Sequence, residues 1–205
     1  MIGFYNYTVI LTYMSLLSAL FGTFLAFNGN IKAALICLCL CGTCDAFDGV
    51  VARSKKDRTE EEKKFGIQID SLVDMYAFGV FPAIIGYTMG LKSGLWFVVF
   101  SLYVLGAVTR LGYFNVMEEI RQQTTNEKRK YYQGLPVTAA CLVFPAVYLL
   151  NYLLSPAIIT SIYGWVLLLV AVLFVLNIKV PKPDFKQILM MGFVMFAIFV
   201  GLVLL

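Results

Sequence analysis

Residues 31–52 read IKAALICLCLCGTCDAFDGVVA, a 22-residue stretch that is mostly apolar and yet contains the aspartates Asp45 and Asp48. At 1.5 Å per residue, a helix of this length can cross the hydrocarbon core of a bilayer. Residues 65–90 form a second apolar stretch with two further aspartates inside it. The two stretches predict neighbouring, antiparallel membrane helices that each carry a pair of carboxylates.

The composition extends this prediction to the whole chain. Of its 205 residues, 60% are apolar and 14% are charged, whereas soluble domains average about 25% charged and 45–50% apolar residues. This balance excludes an ordinary soluble globule, a disordered chain and a secreted disulfide scaffold. We expect an all-α polytopic membrane helix bundle of about seven transmembrane helices, with six to eight possible, in a single integral membrane domain over residues 1–205. The apolar windows are 7–27, 31–52, 65–90, 93–117, 134–154, 157–177 and 187–205.

The chain contains no histidine. This excludes Ser-His-Asp triads, imidazole bases and histidine-ligated zinc, so acid–base chemistry falls to other side chains. The net charge of +4 is modest, and we expect no nucleic-acid partner.

The basic residues are unevenly distributed among the predicted loops. Thirteen of the sixteen Lys and Arg residues follow the second, fourth and sixth windows, whereas Lys32 and Lys92 lie on the other side. Short loops rich in Lys and Arg are retained in the cytoplasm. We therefore expect a multi-pass protein of the cell membrane whose N-terminus faces the cytoplasm.

Four aspartates lie well inside the apolar windows: Asp45, Asp48, Asp70 and Asp74. Each would cost about 2.5–3.5 kcal/mol at the bilayer centre if it faced lipid. The helical rise places both pairs about 7–14 Å below the same interface, and the helical period places each pair on one face with a glycine. We expect the four carboxylates to converge at the cytoplasmic side of the bundle.

Converging carboxylates need positive charge, because like charges at contact distance cannot all remain ionised. An all-oxygen set suits a divalent cation, Mg²⁺ or Mn²⁺, that completes its shell with water and phosphates. Two alternatives remain. The aspartates could neutralise Arg110, the one basic residue well inside a window, or they could line the path of a divalent-cation or proton-coupled transporter.

The sequences DAFDGVVAR (45–53) and GIQIDSLVD (66–74) together resemble the signature of the CDP-alcohol phosphotransferases, D-x-x-D-G-x-x-A-R followed by G-x-x-x-D-x-x-x-D. All eight fixed positions are present. Twelve residues separate Arg53 from Gly66, which is longer than the spacer typical of the family. We expect the charged run 55–64 in this spacer to be a solvated loop or helix extension.

The resemblance implies roles for the matching residues. Asp45, Asp48 and Asp70 would hold one or two divalent cations, and Asp74 would complete the acidic site and serve as general base. The CDP group would lie against Gly49, Ala52, Arg53 and Gly66. The family also implies a homodimer.

Later segments resemble the branch of the family that acts on serine. Residues 65–83, then RLGYFN (110–115) and YYQGLP (131–136), follow its motifs, with Tyr113 and Tyr132 in place of an arginine and a phenylalanine. The resemblance implies that a CDP-diacylglycerol-type lipid and L-serine are the substrates, with CMP as a product. Inositol phosphate and glycerol 3-phosphate remain alternative acceptors.

A serine acceptor needs a cation for its carboxylate and neutral polar groups for its ammonium and hydroxyl. Arg110, Asn115 and Gln133 offer these groups near the depth of the aspartates. In the alternative interpretation, Arg110 pairs with an aspartate, and Asn115 and Gln133 cap helix ends.

The charge distribution predicts a labelling pattern for single cysteines introduced into a background without the native cysteines. Replacements of Asn28, Gly90 or Ser155 should react with an impermeant maleimide added outside the cell, whereas Lys56→Cys should react only after permeabilisation. External labelling of Lys56→Cys in intact cells would invert this orientation.

Overall fold

A computed structural model describes residues 2–124, 131–181 and 185–204. The described residues form a helical bundle, which confirms the prediction of an all-α polytopic architecture. Its α-helices are α1 (Ile10–Phe27), α2 (Ile31–Ser54), α3 (Glu60–Asp74), α4 (Phe81–Thr88), α5 (Gly94–Thr124), α6 (Ala140–Leu149), α7 (Pro156–Val175) and α8 (Phe185–Leu204). A short antiparallel pair joins β1 (Tyr131–Gln133) to β2 (Lys179–Pro181).

Each of the seven apolar windows contains a helix. In the described part of the chain, five helical segments are long and apolar enough to cross a membrane: Tyr7–Phe27, Ile31–Ser54, Glu60–Thr88, Gly94–Arg121 and Pro156–Val175. Two shorter apolar helices cover Val137–Tyr152 and Leu189–Leu204. Large apolar side chains such as Leu17, Phe97 and Phe193 are exposed on the outside of the bundle, as expected for surfaces that face lipid. The chain is a multi-pass membrane protein.

The turn between α1 and α2 makes these helices antiparallel neighbours. Gly29 has a φ of +78°, a left-handed conformation that glycine adopts without strain. The side chain of Asn30 then caps α2 by accepting a hydrogen bond from the backbone N–H of Ala33 at 3.2 Å. This hairpin places α1 beside the aspartates of α2.

The third window is one continuous helical segment with a wider turn inside it. α3 begins earlier than predicted, in a capping box in which Thr59 and Glu62 satisfy each other's backbone N–H groups. A π-helical turn, Met75–Val80, separates α3 from α4. Pro82 provides no N–H for the carbonyl of Phe78, and the hydroxyl of Tyr103 donates to that carbonyl at 2.6 Å.

The predicted topology places the N-terminus and the segments after the second, fourth and sixth windows at the same end of the bundle. Two contacts agree with this arrangement. The β1–β2 pair joins the segments that follow α5 and α7. On the N-terminal segment, the amide of Asn6 donates to Glu62, at the start of α3, at 3.0 Å. Residues 125–130 and 182–184, which carry part of the basic charge, lie outside the described residues. Which end faces the cytoplasm stays a prediction.

Candidate active site

Three of the four predicted aspartates form a compact carboxylate group, which we call the Asp triad: Asp45, Asp70 and Asp74. Carboxylate oxygens from all three lie within 4.8 Å of one another. Asp45 projects from α2, whereas Asp70 and Asp74 lie four residues apart on one face of α3. Asp74 is buried, and the other two are half-buried. The helical period alone therefore aligns two of the three carboxylates, and the placement of α2 beside α3 supplies the third.

The fourth aspartate, Asp48, lies beside the Asp triad but outside it. It follows Asp45 by one helical turn on α2 and accepts a hydrogen bond of 3.4 Å from the hydroxyl of Thr12 on α1. Asp48 and Asp70 both line a cavity of about 150 Å³ that we call the outer cavity. The outer cavity thus reaches the triad at Asp70, with Asp48 beside it in the same wall.

The outer cavity contains three of the four residues predicted to contact a CDP group: Gly49, Ala52 and Gly66. Arg53 is exposed and is not part of the described lining. Its guanidinium lies over Gly49, since a Cβ built on Gly49 would be 3.3 Å from Nη1 of Arg53. The glycines therefore keep the wall of the cavity open, and the motif arginine lies at its edge.

Arg58 is a cation in the cavity wall that sequence reasoning missed. It belongs to the spacer assigned to a solvated segment, yet it is half-buried and lines the outer cavity together with Lys63. No motif marks Arg58 as a site residue. The sequence offers two indirect signals, the extra length of the spacer and the T-x-x-E pattern at 59–62 that marks an earlier start of α3.

A second cavity, of about 260 Å³, lies between α5, β1 and the end of α7, and we call it the inner cavity. It contains two of the predicted acceptor residues, Arg110 and Gln133, and its other polar lining residues were not predicted: Thr109, Tyr113 and Asn177. Asn115 is not in this described lining. Instead, its amide and the hydroxyl of Ser71 exchange hydrogen bonds of 2.8 and 3.2 Å.

Arg110 links the inner cavity to the Asp triad. It is buried on α5, its Nε donates to the carbonyl of Leu135 at 2.8 Å, and its guanidinium lies 5.3 Å from the centre of the Phe114 ring. Its positive charge attracts the carboxylates of Asp45 and Asp74. Arg110 thus lines the inner cavity and is near enough to the Asp triad for its charge to act on two of the three carboxylates.

The Asp triad fits a divalent cation. Its donors are all carboxylate oxygens, which Mg²⁺ and Mn²⁺ favour. Three carboxylates so close together also require positive charge to remain ionised. The chemistry of the residues present therefore fits a bound divalent cation.

The fold and the acidic site define a multi-pass helical protein with three closely spaced carboxylates that fit a divalent cation. Residues 5–199 match the model of the CDP-alcohol phosphatidyltransferase family, and the chain belongs to this family. The match confirms the resemblance found in the signature residues.

Several curated relatives are similar to this chain. A CDP-diacylglycerol–serine O-phosphatidyltransferase of Saccharomyces cerevisiae is 35% identical over 112 residues, covering 53% of this chain and 39% of the relative. An archaetidylserine synthase of Methanothermobacter thermautotrophicus is 31% identical over 163 residues, covering 78% and 63%. A CDP-diacylglycerol–serine O-phosphatidyltransferase of Helicobacter pylori is 34% identical over 149 residues, covering 70% and 57%. The chain thus spans less than two thirds of the length of each of these relatives.

The Asp triad predicts a measurable metal site. Asp45→Asn and Asp70→Asn should each weaken Mn²⁺ binding by roughly tenfold or more, because each removes a charged ligand. Electron paramagnetic resonance of the purified protein titrated with Mn²⁺ measures free and bound ion directly.

Glu60→Gln provides the matched control, because Glu60 is an exposed carboxylate that pairs with Lys63 at 2.7 Å. Its Mn²⁺ affinity should equal that of the wild type. An equal loss in Glu60→Gln, or unchanged affinity in both triad variants, would contradict the assignment.

Proposed function

We propose that this chain transfers a phosphatidyl group from a CDP-activated lipid of the CDP-diacylglycerol type to the hydroxyl of L-serine, with release of CMP. The observation that carries the proposal is the Asp triad, whose oxygens lie within 4.8 Å beside a cavity built from the family's signature residues. Family membership supports the reaction type. Serine, as the acceptor, is supported by its presence in the printed names of the relatives.

The outer cavity would receive the CDP group. Gly49, Ala52 and Gly66 present little side-chain bulk there, so a nucleotide can approach the backbone of α2 and α3. Arg53 at the edge would meet phosphate oxygens that extend beyond the cavity. The lipid chains of the substrate would remain in the bilayer beside the bundle.

The aspartates would hold the cofactor. Asp45, Asp48, Asp70 and Asp74 are the residues that we propose as ligands of Mg²⁺ or Mn²⁺. When bound, the cation neutralises phosphate oxygens and stabilises the charge that develops during phosphoryl transfer.

Asp74 would act as general base. Its carboxylate is the most buried of the Asp triad, away from bulk water that could compete with serine. It takes the proton of the serine hydroxyl while the serine oxygen forms a bond to the β-phosphorus. The bond from the β-phosphorus to the bridging oxygen breaks, and CMP leaves with that electron pair.

The inner cavity would bind the acceptor. Arg110 is the one cationic residue in the lining that the structure describes, which suits a singly charged carboxylate better than a phosphate dianion. Gln133 would contribute neutral hydrogen bonds from the same cavity. Asn115 would contribute indirectly, through its hydrogen bond to Ser71, which follows Asp70 in the chain.

We also propose where the enzyme lies in the cell, how it is oriented in the membrane and how many copies assemble. Residues 1–205 would act as one domain in the cell membrane, with the N-terminus and the active site facing the cytoplasm, where serine is available. The protein would work as a homodimer.

Purified protein should release CMP from labelled CDP-lipid only when serine is present. Excess EDTA should stop the reaction, and Mg²⁺ or Mn²⁺ should restore it. Asp74→Asn should lower kcat by about 10²-fold or more, the typical contribution of a general base, while Mn²⁺ affinity falls less than turnover. Glu60→Gln should retain full activity.

Two results would contradict this account in different ways. Full activity in excess EDTA, or cation flux into vesicles without CMP release, would exclude a metal-dependent transferase. Transfer to glycerol 3-phosphate or inositol phosphate, with serine ignored, would overturn the acceptor and leave the metal site standing.

Arg110→Ala should raise the KM for serine by about tenfold or more, because it removes the proposed partner of the serine carboxylate. Binding of CDP-lipid, measured without serine, should remain near that of the wild type. Arg121→Ala is the matched control, since Arg121 is on the same helix and pairs with Glu118 at 2.6 Å. An unchanged serine KM in Arg110→Ala would remove Arg110 from the acceptor site.

A further inference from the structure

The spacer between α2 and α3 places Arg58 against the wall of the outer cavity. Its Nη1 donates to the carbonyl of Ala52 at 3.4 Å, and its Nη2 donates to the carbonyl of Glu62 at 3.1 Å. Its Nε is buried and has no hydrogen-bond partner in the described structure. A buried N–H of a charged group without an acceptor is costly, so a ligand that supplies one would be favoured.

Arg58 also lacks a carboxylate partner within ion-pair distance in the described part of the chain. The neighbouring Lys55 pairs with Glu62 at 3.0 Å, and Lys63 pairs with Glu60 at 2.7 Å. Arg58 contacts backbone carbonyls instead, and these carry no full negative charge to pair with the guanidinium. A half-buried guanidinium of this kind favours an anion, and phosphate matches its geometry.

The position of Arg58 along the helices suits one part of the substrate. Ala52 follows Asp48 by four residues, and Gly66 precedes Asp70 by four residues. Both lie toward the spacer, so they are about 6 Å from the level of these aspartates, the rise of four helical residues. A nucleotide whose outer phosphate meets the aspartates would extend its other phosphate and its nucleoside toward Arg58.

The surroundings hold Arg58 in this position. Glu62 accepts hydrogen bonds from Lys55 and from Asn6, both at 3.0 Å, and closes the capping box at the start of α3. Gly66 leaves room for the guanidinium, because a Cβ on Gly66 would be 2.6 Å from Nη2 of Arg58. The longer spacer is therefore fixed to both helices and the N-terminal segment.

We propose that Arg58 binds the nucleotide phosphate adjacent to the cytidine in the outer cavity, a role that rests on the function proposed above. Arg53 is exposed at the edge of the cavity, so the extended spacer supplies a cation that the signature arginine does not place in the described lining. Lys63, in the same wall, adds positive charge from a more exposed position.

A purely structural role makes a different prediction. Arg58 caps carbonyls at the end of α2 and the start of α3, and this alone would make its removal lower thermal stability. Such a loss would affect the binding of every ligand of the cavity alike. A phosphate contact instead affects only ligands that contain a phosphate.

The test compares the binding of CMP and cytidine to the full chain in detergent with saturating Mg²⁺, by ligand-observed NMR titration. In the wild type, CMP should bind more tightly than cytidine. In Arg58→Ala, this preference should fall by about tenfold, the worth of a charged hydrogen bond, while cytidine affinity stays within about twofold. Lys56→Ala removes an exposed charge from the same spacer and should leave the preference unchanged.

Arg58→Gln provides a second variant that can still donate to the backbone carbonyls but lacks the charge. It should melt near the wild-type temperature and lose the preference as Arg58→Ala does, which keeps the test decisive if the alanine variant does not fold. Equal losses for CMP and cytidine, or an unchanged preference, would overturn the inference. A wild type that binds neither compound would instead contradict the proposed function itself.

Discussion

Mutual repulsion among the carboxylates of Asp45, Asp70 and Asp74 is the constraint on which the rest of this structure depends. Their oxygens lie within 4.8 Å in a bundle that crosses a membrane, where hydration cannot fully screen like charges. A stable fold must therefore place them near an aqueous end, and it must leave access for compensating positive charge. The outer cavity satisfies this requirement next to the triad.

Arg110 supplies part of the positive charge that the aspartates require, from a different helix. It attracts Asp45 and Asp74 from α5 while it lines the inner cavity. The outer cavity thus includes carboxylates in its wall, whereas the inner cavity includes the guanidinium that attracts them. In the proposed reaction, the nucleotide and the acceptor would occupy different cavities on either side of these charges.

Features that depend on the helical repeat could be predicted from the sequence. Features that depend on contacts between distant segments could not. The spacing of Asp70 and Asp74 and the depth of Asp45 follow from helical rise and period, so their convergence could be predicted. The inward turn of Arg58 depends on α3 starting in a capping box at Thr59, and the β1–β2 pair joins segments far apart in sequence. Neither the position of Arg58 nor the pairing of β1 with β2 can be read from the hydropathy of a single segment.

The most direct test of the central claim is anomalous diffraction from crystals of the wild-type protein grown with Mn²⁺, recorded on either side of the manganese absorption edge. The account predicts an anomalous peak within coordination distance of carboxylate oxygens of Asp45, Asp70 and Asp74. The peak should be absent from crystals of Asp45→Asn prepared in the same way. A wild-type peak elsewhere in the bundle, or none at saturating Mn²⁺, would contradict it.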